Sequence, residues 1–245
     1  METDDDNIPL DDFWQDKQPT VFVPQLSHQG WVNIYKYFTS QLIWPRGLPL
    51  NKIHDPLPEL ENLTKGEVFC PIQQGLADDN PDVDAIYRLI LPLPLKFNNG
   101  LKIALGNRSW CPFNSQNTIW FPDAYPLLYL PAYCSFRMTD IWRSFVAQRI
   151  AWENGWSILF YSSTVYQERN EHNLMKDFQD EVIGYINNQE ISDILGCLKL
   201  ASGLNNIPDN MIICYSKLIE LGVVGENEMK LLESWFEDLS SFSND

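Results

Sequence analysis

The chain has 245 residues, 44% of them apolar, with 33 acidic against 17 basic residues and a net charge of −16; its mean hydropathy is −0.25. That length can bury a sizeable core, as one large domain or one domain with an appendage, and the composition excludes a disordered or fibrous chain. The acidity, without any basic stripe of interleaved aromatics, argues against nucleic acid as a partner, and every long apolar run is broken by Pro or charge, so no segment is expected to span a membrane.

The charge is uneven. Residues 1–16 carry seven acids and no base, residues 170–245 carry fourteen acids against four lysines, and all seven arginines lie between Arg46 and Arg169. Glu2-Thr3-Asp4-Asp5-Asp6 packs four carboxylates into five residues. Like charges a few Å apart repel unless a cation gathers them, and hard oxygen ligands suit Mg²⁺ or Mn²⁺, which can also grip a nucleotide diphosphate. The competing reading is a solvated acidic end.

Residues 8–70 read as irregular, because prolines at 9, 19, 24, 45, 49, 56 and 58 punctuate short β-like runs such as 21–23 and 34–38. Across 83–105 an extended segment is expected, with a hairpin turn at Asn98-Asn99-Gly100 between apolar flanks. Residues 118–133 read as a strand followed by a short helix or turn. A helix is predicted from Thr139, as N-cap, to Gly155, as C-cap, with a broad apolar face, and then a buried strand over 156–161. Beyond Asn170 helical periodicity recurs over roughly 170–187, 190–203, 209–221 and 226–239, an acidic helical extension on a core of residues 1–169. The five cysteines lie far apart with no Cys-x-x-Cys pair, which predicts buried, reduced thiols.

Four segments look unlike plain scaffolding: 44–49 (Trp-Pro-Arg-Gly-Leu-Pro), 72–76 with 81–84 (Pro-Asp-Val-Asp), 112–118 (Pro-Phe-Asn-Ser-Gln-Asn-Thr) and 137–143 (Arg-Met-Thr-Asp-Ile-Trp-Arg). Most combine polar side chains that can read hydroxyls with a rigid Pro or Gly, a large aromatic, or both, the combination that binds sugar rings. Taken singly, each is equally a tight turn whose Asn, Ser and Gln satisfy backbone groups.

In one order and at similar spacing, these segments resemble the STELLO-type glycosyltransferases over residues 2–186, with a fainter similarity to plant reversibly glycosylated polypeptides. The resemblance implies an α/β nucleotide-sugar transferase fold of the GT-A-like kind, a mixed sheet with the acidic motif at a strand's end, and transfer of a sugar from a nucleotide-sugar donor to a glycan acceptor with a divalent metal, Mn or Mg. Carried over, Asp4, Asp5 and Asp6 are the metal motif, and Asp140 is the catalytic candidate, as general base or merely as a helix N-terminal carboxylate. Trp44, Arg46, Gln73, Gln74, Asp82, Asp84, Asn114, Ser115, Asn117 and Arg143 are the substrate-binding candidates; Arg143 could meet a phosphate or pair with Asp140.

Two departures stand out. Met1 abuts the acidic motif, so the preceding βαβ nucleotide-binding unit is expected to come from an upstream segment or a partner chain, or to have been lost. Tyr166 stands where relatives can carry His, with His172 as a substitute ligand. Lacking a signal peptide, the chain as written points to the cytoplasm, and to the Golgi or another membrane if an anchor precedes it. The alternatives are a non-catalytic glycan-binding or scaffolding relative and a hydrolase using Asp82 and Asp84.

Overall fold

The computed structural model describes residues 1–168, 170 and 173–242; His172 lies outside them. The strands are β1 (Glu2–Thr3), β2 (Asn7–Pro9), β3 (Thr20–Leu26), β4 (Gly30–Trp31), β5 (Thr64–Phe69), β6 (Ile72–Asp78), β7 (Lys102–Leu105), β8 (Ser109–Trp110), β9 (Asn117–Trp120) and β10 (Ile158–Gln167). Eight of them form one mixed sheet ordered β1-β9-β6-β10-β7-β3-β5, with β2 paired antiparallel to the end of β10; β4 and β8 make a separate parallel pair. Central β6 and β10 run parallel, and β6 is buried at every residue, as a strand covered on both faces must be. Its polar residues are therefore hydrogen-bonded: Gln74 Oε1 accepts from the Asn114 amide at 2.8 Å and the Thr118 hydroxyl at 3.0 Å.

The helices are α1 (Ala85–Ile90), α2 (Thr139–Glu153), α3 (Leu174–Cys197), α4 (Ile207–Glu220) and α5 (Glu228–Phe242). α2 is buried from Asp140 to Ala151 and sits at the heart of a core that also takes in Ile191 and Leu195 of α3 and Ile207 and Tyr215 of α4. Sheet and C-terminal helices thus share one apolar cluster. No helix among the described residues is long and apolar enough to cross a membrane, and all five cysteines are free.

Several expectations fail for identifiable reasons. The Asn98-Asn99-Gly100 turn exists, with Gly100 at φ 80°, but it closes no hairpin: β7 pairs with β10 and β3, whereas Leu95 bridges Asp79. Ile34–Tyr37 form a 3-10 turn, so the run 34–38 is not a strand. The expected extended segment contains α1, whose N-cap is Asp84, its carboxylate accepting from the Tyr87 amide at 2.7 Å. Asn187-Asn188 does not break α3: Asn188 is buried, accepts from the Trp142 indole at 2.9 Å and donates to the Gly47 carbonyl at 2.8 Å, so tertiary bonds outweigh its weak helix propensity. Thr139 opens α2 without capping it; its hydroxyl donates to the Phe136 carbonyl.

Candidate active site

Several chain segments meet at a cavity of about 410 Å³, among them the acidic turn between β1 and β2, Asp82 in the loop before α1, and the start of α2 with the residues just before it. The acidic segment is not extended. It is a tight turn in which the Asn7 amide donates back to the Asp4 carbonyl, and this reversal points Asp4 and Asp6 the same way while Asp5 is exposed. Both carboxylates accept from one amide, Gln167 Nε2, at 3.1 Å to Asp4 and 2.8 Å to Asp6. Gln167 ends β10 opposite Asn7, so the β2–β10 pairing carries that amide to the turn.

Arg46 organises the floor. Its side chain is 6% exposed and grips two carboxylates at once: Nε to both Asp82 oxygens at 2.9 and 3.2 Å, Nη2 to Asp82 at 2.8 Å and to Asp140 at 2.8 Å, and Nη1 to Asp140 at 3.0 Å. Nη1 also donates to the Arg137 carbonyl. The next residue, Gly47, makes this possible: at φ 90° the chain turns hard against α2, and a Cβ there would lie 2.4 Å from Ile141 Cγ2.

The charges follow from this geometry. Burial pushes the Asp82 carboxyl up, but the Arg46 guanidinium more than reverses it, holding Asp82 below the ordinary carboxylate range. Burial likewise disfavours the Arg46 cation, and Asp140 and Asp82 overcome that, raising Arg46 further above its ordinary value. Asp4 is pushed up to about 6, first by burial and then by Asp82, Asp6 and Asp140, with Arg46 pulling the other way.

Of the residues singled out by sequence, Asp4, Asp5, Asp6, Arg46, Asp82, Ser115 and Asp140 line this cavity. The others lie elsewhere. Trp44 donates its indole N–H to Asp84 at 2.6 Å and packs edge-on to Tyr87, both groups buried beneath α1. Asp82 and Asp84 therefore do not face one substrate together, and the hydrolase arrangement is absent. Gln73 holds the Gln18 and Cys70 carbonyls, Asn114 the Gln116 amide, and Asn117 the Leu76 carbonyl and Thr164 hydroxyl. Arg143 pairs with Glu2 rather than Asp140, at 2.7 and 2.8 Å, lying over the Trp120 ring; Trp120 and Ser115 also donate to Glu2. Glu2 thus ties β1 to α2 and stands apart from the other three acids.

Sequence reasoning did not assign Arg88, Gln116, Phe136, Arg137 or Gln167 to the lining. Arg137 pairs with the buried Glu181 at 2.7 Å. Arg137 and Gln116 were signalled only as members of the marked segments; the rest depend on register.

A divalent cation fits the donor set in one form. Asp4 and Asp6 supply hard oxygens drawn to one side, and the Asp4 carboxyl is raised by its burial first and by the neighbouring acids second. Among the described residues, no three His, Cys, Asp or Glu side chains converge as a closed cage. A Mg²⁺ or Mn²⁺ ion here would have only the one or two carboxylates of Asp4 and Asp6, with water and substrate oxygens completing its shell.

Known proteins are similar to this chain. The family model described as STELLO glycosyltransferases matches residues 137–244, which takes in α2 and all three C-terminal helices and runs past residue 186. "Probable glycosyltransferase STELLO2" of Arabidopsis thaliana is 30% identical over 217 residues, 85% of this chain and 28% of that protein. "Probable glycosyltransferase STELLO1" of the same plant is 28% identical over 218 residues, 85% of this chain and 27% of its own length. The chain thus spans less than a third of the curated relatives it matches. With its mixed α/β fold and a similarity that runs through most of its length, the chain is a relative of the STELLO glycosyltransferases.

Proposed function

We propose that the cavity is the metal and acceptor side of a glycosyl-transfer site, moving a sugar from a nucleotide-sugar donor to a glycan acceptor. The observation that carries this reading is that Asp4 and Asp6 line one cavity with Asp82 and Asp140, the pair that the buried Arg46 guanidinium holds, and that the cavity is large enough for a small ligand. Asp4 and Asp6 would hold the cation, with Asp5 at the rim. A bound Mn²⁺ or Mg²⁺ would neutralise the departing diphosphate.

This chain's own residues then do the positioning. Arg46 fixes Asp140 and Asp82, and a remaining lone pair of Asp82 orients an acceptor hydroxyl. With both oxygens of Asp140 bonded to Arg46, one also accepting from the Ser115 amide at 3.3 Å and the other from the Ile141 amide at 3.0 Å, Asp140 serves to hold Arg46 and the 115 loop in place. The exposed ring of Phe136 on the rim offers a face for the C–H surface of a sugar.

The test is calorimetric titration of the chain with UDP- and GDP-sugars, with Mn²⁺ and with EDTA. Binding that requires Mn²⁺ and disappears in Asp4→Ala plus Asp6→Ala is expected. Nucleotide-sugar binding of equal strength in EDTA, or unchanged in the double variant, would refute the assignment.

A further inference from the structure

Three arginines line the acidic cavity: Arg46, Arg88 and Arg137. Arg46 is fully engaged, each of its three nitrogens donating to Asp82 or Asp140. Arg88 donates to the Pro81 carbonyl at 2.8 Å. Arg137 is used along one edge only. Its Nε and Nη2 donate to a single oxygen of Glu181, Oε1, at 2.9 and 2.7 Å, and Glu181 on α3 is wholly buried. Nη1 has no partner among the described residues and is not one of the buried unpaired atoms, whereas Nε of Arg143 is. A guanidinium carries five N–H groups in a flat fork. With the Nε edge turned onto a buried carboxylate, what Arg137 leaves open is its far end, where Nη1 and the second N–H of Nη2 lie side by side, and its side chain keeps 14% of its surface exposed.

Glu181 fixes that open end. Its other oxygen accepts from the Ala85 amide at 2.7 Å and from the Tyr185 hydroxyl at 2.6 Å, so one carboxylate ties Arg137 to the first residue of α1 and to α3. The Arg137 carbonyl accepts from Arg46, which pins the main chain of this residue to the cavity floor. Burial raises the Asp82 carboxyl, and after Arg46 the charges that pull it down are Arg137 and Arg88, which places both guanidinium groups at the Asp82 end of the cavity.

We propose that Arg137 is an oxyanion subsite of this cavity, with Glu181 as the positioning residue that holds it. A planar fork matches the paired oxygens of a carboxylate or a phosphate, and a guanidinium already fixed along its other edge has little freedom left to lose on binding. The lining aspartates alone would repel an anion. Arg46 answers Asp82 and Asp140, and the proposed cation would answer Asp4 and Asp6, so the subsite works in the metal-loaded cavity. The ligand rests on the transfer reading: its oxyanion is the diphosphate of the donor or the carboxylate of a uronic-acid acceptor.

The full chain in excess Mn²⁺ is titrated calorimetrically with UDP, which carries the diphosphate and no sugar donor group, and with digalacturonic acid, which carries carboxylates and no phosphate. The titrations are repeated in EDTA and with Arg137→Gln and Glu181→Gln. Arg137→Gln removes the fork and should weaken one ligand about tenfold or more, the worth of a charge-assisted pair of hydrogen bonds; the ligand that weakens names the source. Glu181→Gln keeps the size but loses the charge that holds Arg137, and should weaken the same ligand about threefold while the affinity for Mn²⁺ alone stays unchanged. Loss of Mn²⁺ affinity along with it would reduce Glu181 to a prop of the fold and overturn its positioning role. Failure of the cation reading is told apart, because binding that persists in EDTA and still falls in Arg137→Gln supports the subsite without the metal. Binding of neither ligand by the parent, or binding of both by Arg137→Gln as tight as the parent's, overturns the proposal.

Discussion

Replacing Arg46 tests the reasoning about the acidic cavity most directly. The guanidinium makes five contacts of 3.2 Å or less to Asp82 and Asp140, both 9% exposed. In Arg46→Ala both carboxylates would lose their buried counter-charge. Removing one partner of a buried pair costs about 3–5 kcal/mol, because the charge left behind is neither solvated nor paired. For a chain of this size that lowers the Tm by on the order of 10 °C. Arg46→Lys keeps the charge but loses the planar fork, and should fall between the two.

The pH dependence distinguishes lost charge from lost packing. In the parent, Asp82 is held below its ordinary value, so its contribution is present above the unfolded-state pKa and is lost as pH falls through the lower folded value. Without Arg46 the burial of Asp82 is opposed by the lesser pull of Arg137 and Arg88, and Asp4, already at about 6, loses the lowering influence of the guanidinium. Both carboxyls are then raised, and a raised carboxyl makes the fold more stable as pH falls. The difference in unfolding free energy between parent and Arg46→Ala, measured by urea denaturation, should therefore shrink from pH 7.5 to pH 5. A difference that stays constant over that range would show that Arg46 acts by packing alone, and the electrostatic account would fall.

Three further outcomes follow from other residues. Asp84, fully buried, is pushed up to about 6, chiefly by burial, with its bonds to Tyr87 and Trp44 opposing; raised above its unfolded value, it contributes stability that is lost as pH rises through about 6. Between pH 5 and 7.5 that loss is on the order of 1 kcal/mol, and Asp84→Asn should remove it from the pH profile of urea unfolding; an unaltered profile would contradict the assignment. Gly47→Ala places a Cβ 2.4 Å from Ile141 Cγ2 at φ 90° and should cost about 1–3 kcal/mol in thermal unfolding, whereas a cost under about 0.5 kcal/mol would mean the loop is less constrained than its geometry implies. Glu228, wholly buried at the start of α5, accepts from the amides of Ala132 and Tyr133 and from the Tyr129 hydroxyl. Glu228→Ala orphans those donors and should cost about 3 kcal/mol and quicken hydrogen exchange at 132 and 133; unchanged exchange there would refute the anchoring role.

What could be read beforehand was local, and what could not was register. α2 and α4 announce themselves through periodicity and their breaks, and the acidic turn through density of charge. The division of the four marked segments into cavity and support was hidden, because a single sequence does not say which way a side chain faces. Arg46 and Trp44 are two residues apart, yet one reaches the cavity and the other donates to a buried carboxylate under α1. Asp82 and Asp84 divide the same way, since Asp84 serves as the N-cap of a six-residue helix too short for periodicity to reveal. Gln74, Asn114 and Asn117 look like sugar readers in composition, and their amides instead satisfy the backbone of a sheet buried on both faces. The 98–100 turn misled because turn chemistry specifies a reversal of direction, not which strands its arms will join.

Gln167 links the fold to the cation. Its side-chain amide donates to Asp4 and Asp6 together, and so lies where their oxygens converge, the position a cation on this pair would contest. Gln167→Leu removes two charge-assisted hydrogen bonds at a partly exposed site, and in EDTA it should destabilise the chain by about 1–2 kcal/mol, the usual worth of such bonds discounted for solvent screening. Manganese at about a hundred times its dissociation constant stabilises a binding protein by about 2.7 kcal/mol. In the parent the cation must first displace the amide, whereas in Gln167→Leu it meets two carboxylates with that donor removed. The Mn²⁺-induced rise in Tm should therefore be larger in the variant than in the parent, and the EDTA deficit should narrow. A Tm that Mn²⁺ leaves unmoved in both proteins would remove the cation from the site altogether; an equal rise in both would mean that amide and metal do not compete, and that the cation sits beyond the reach of Gln167.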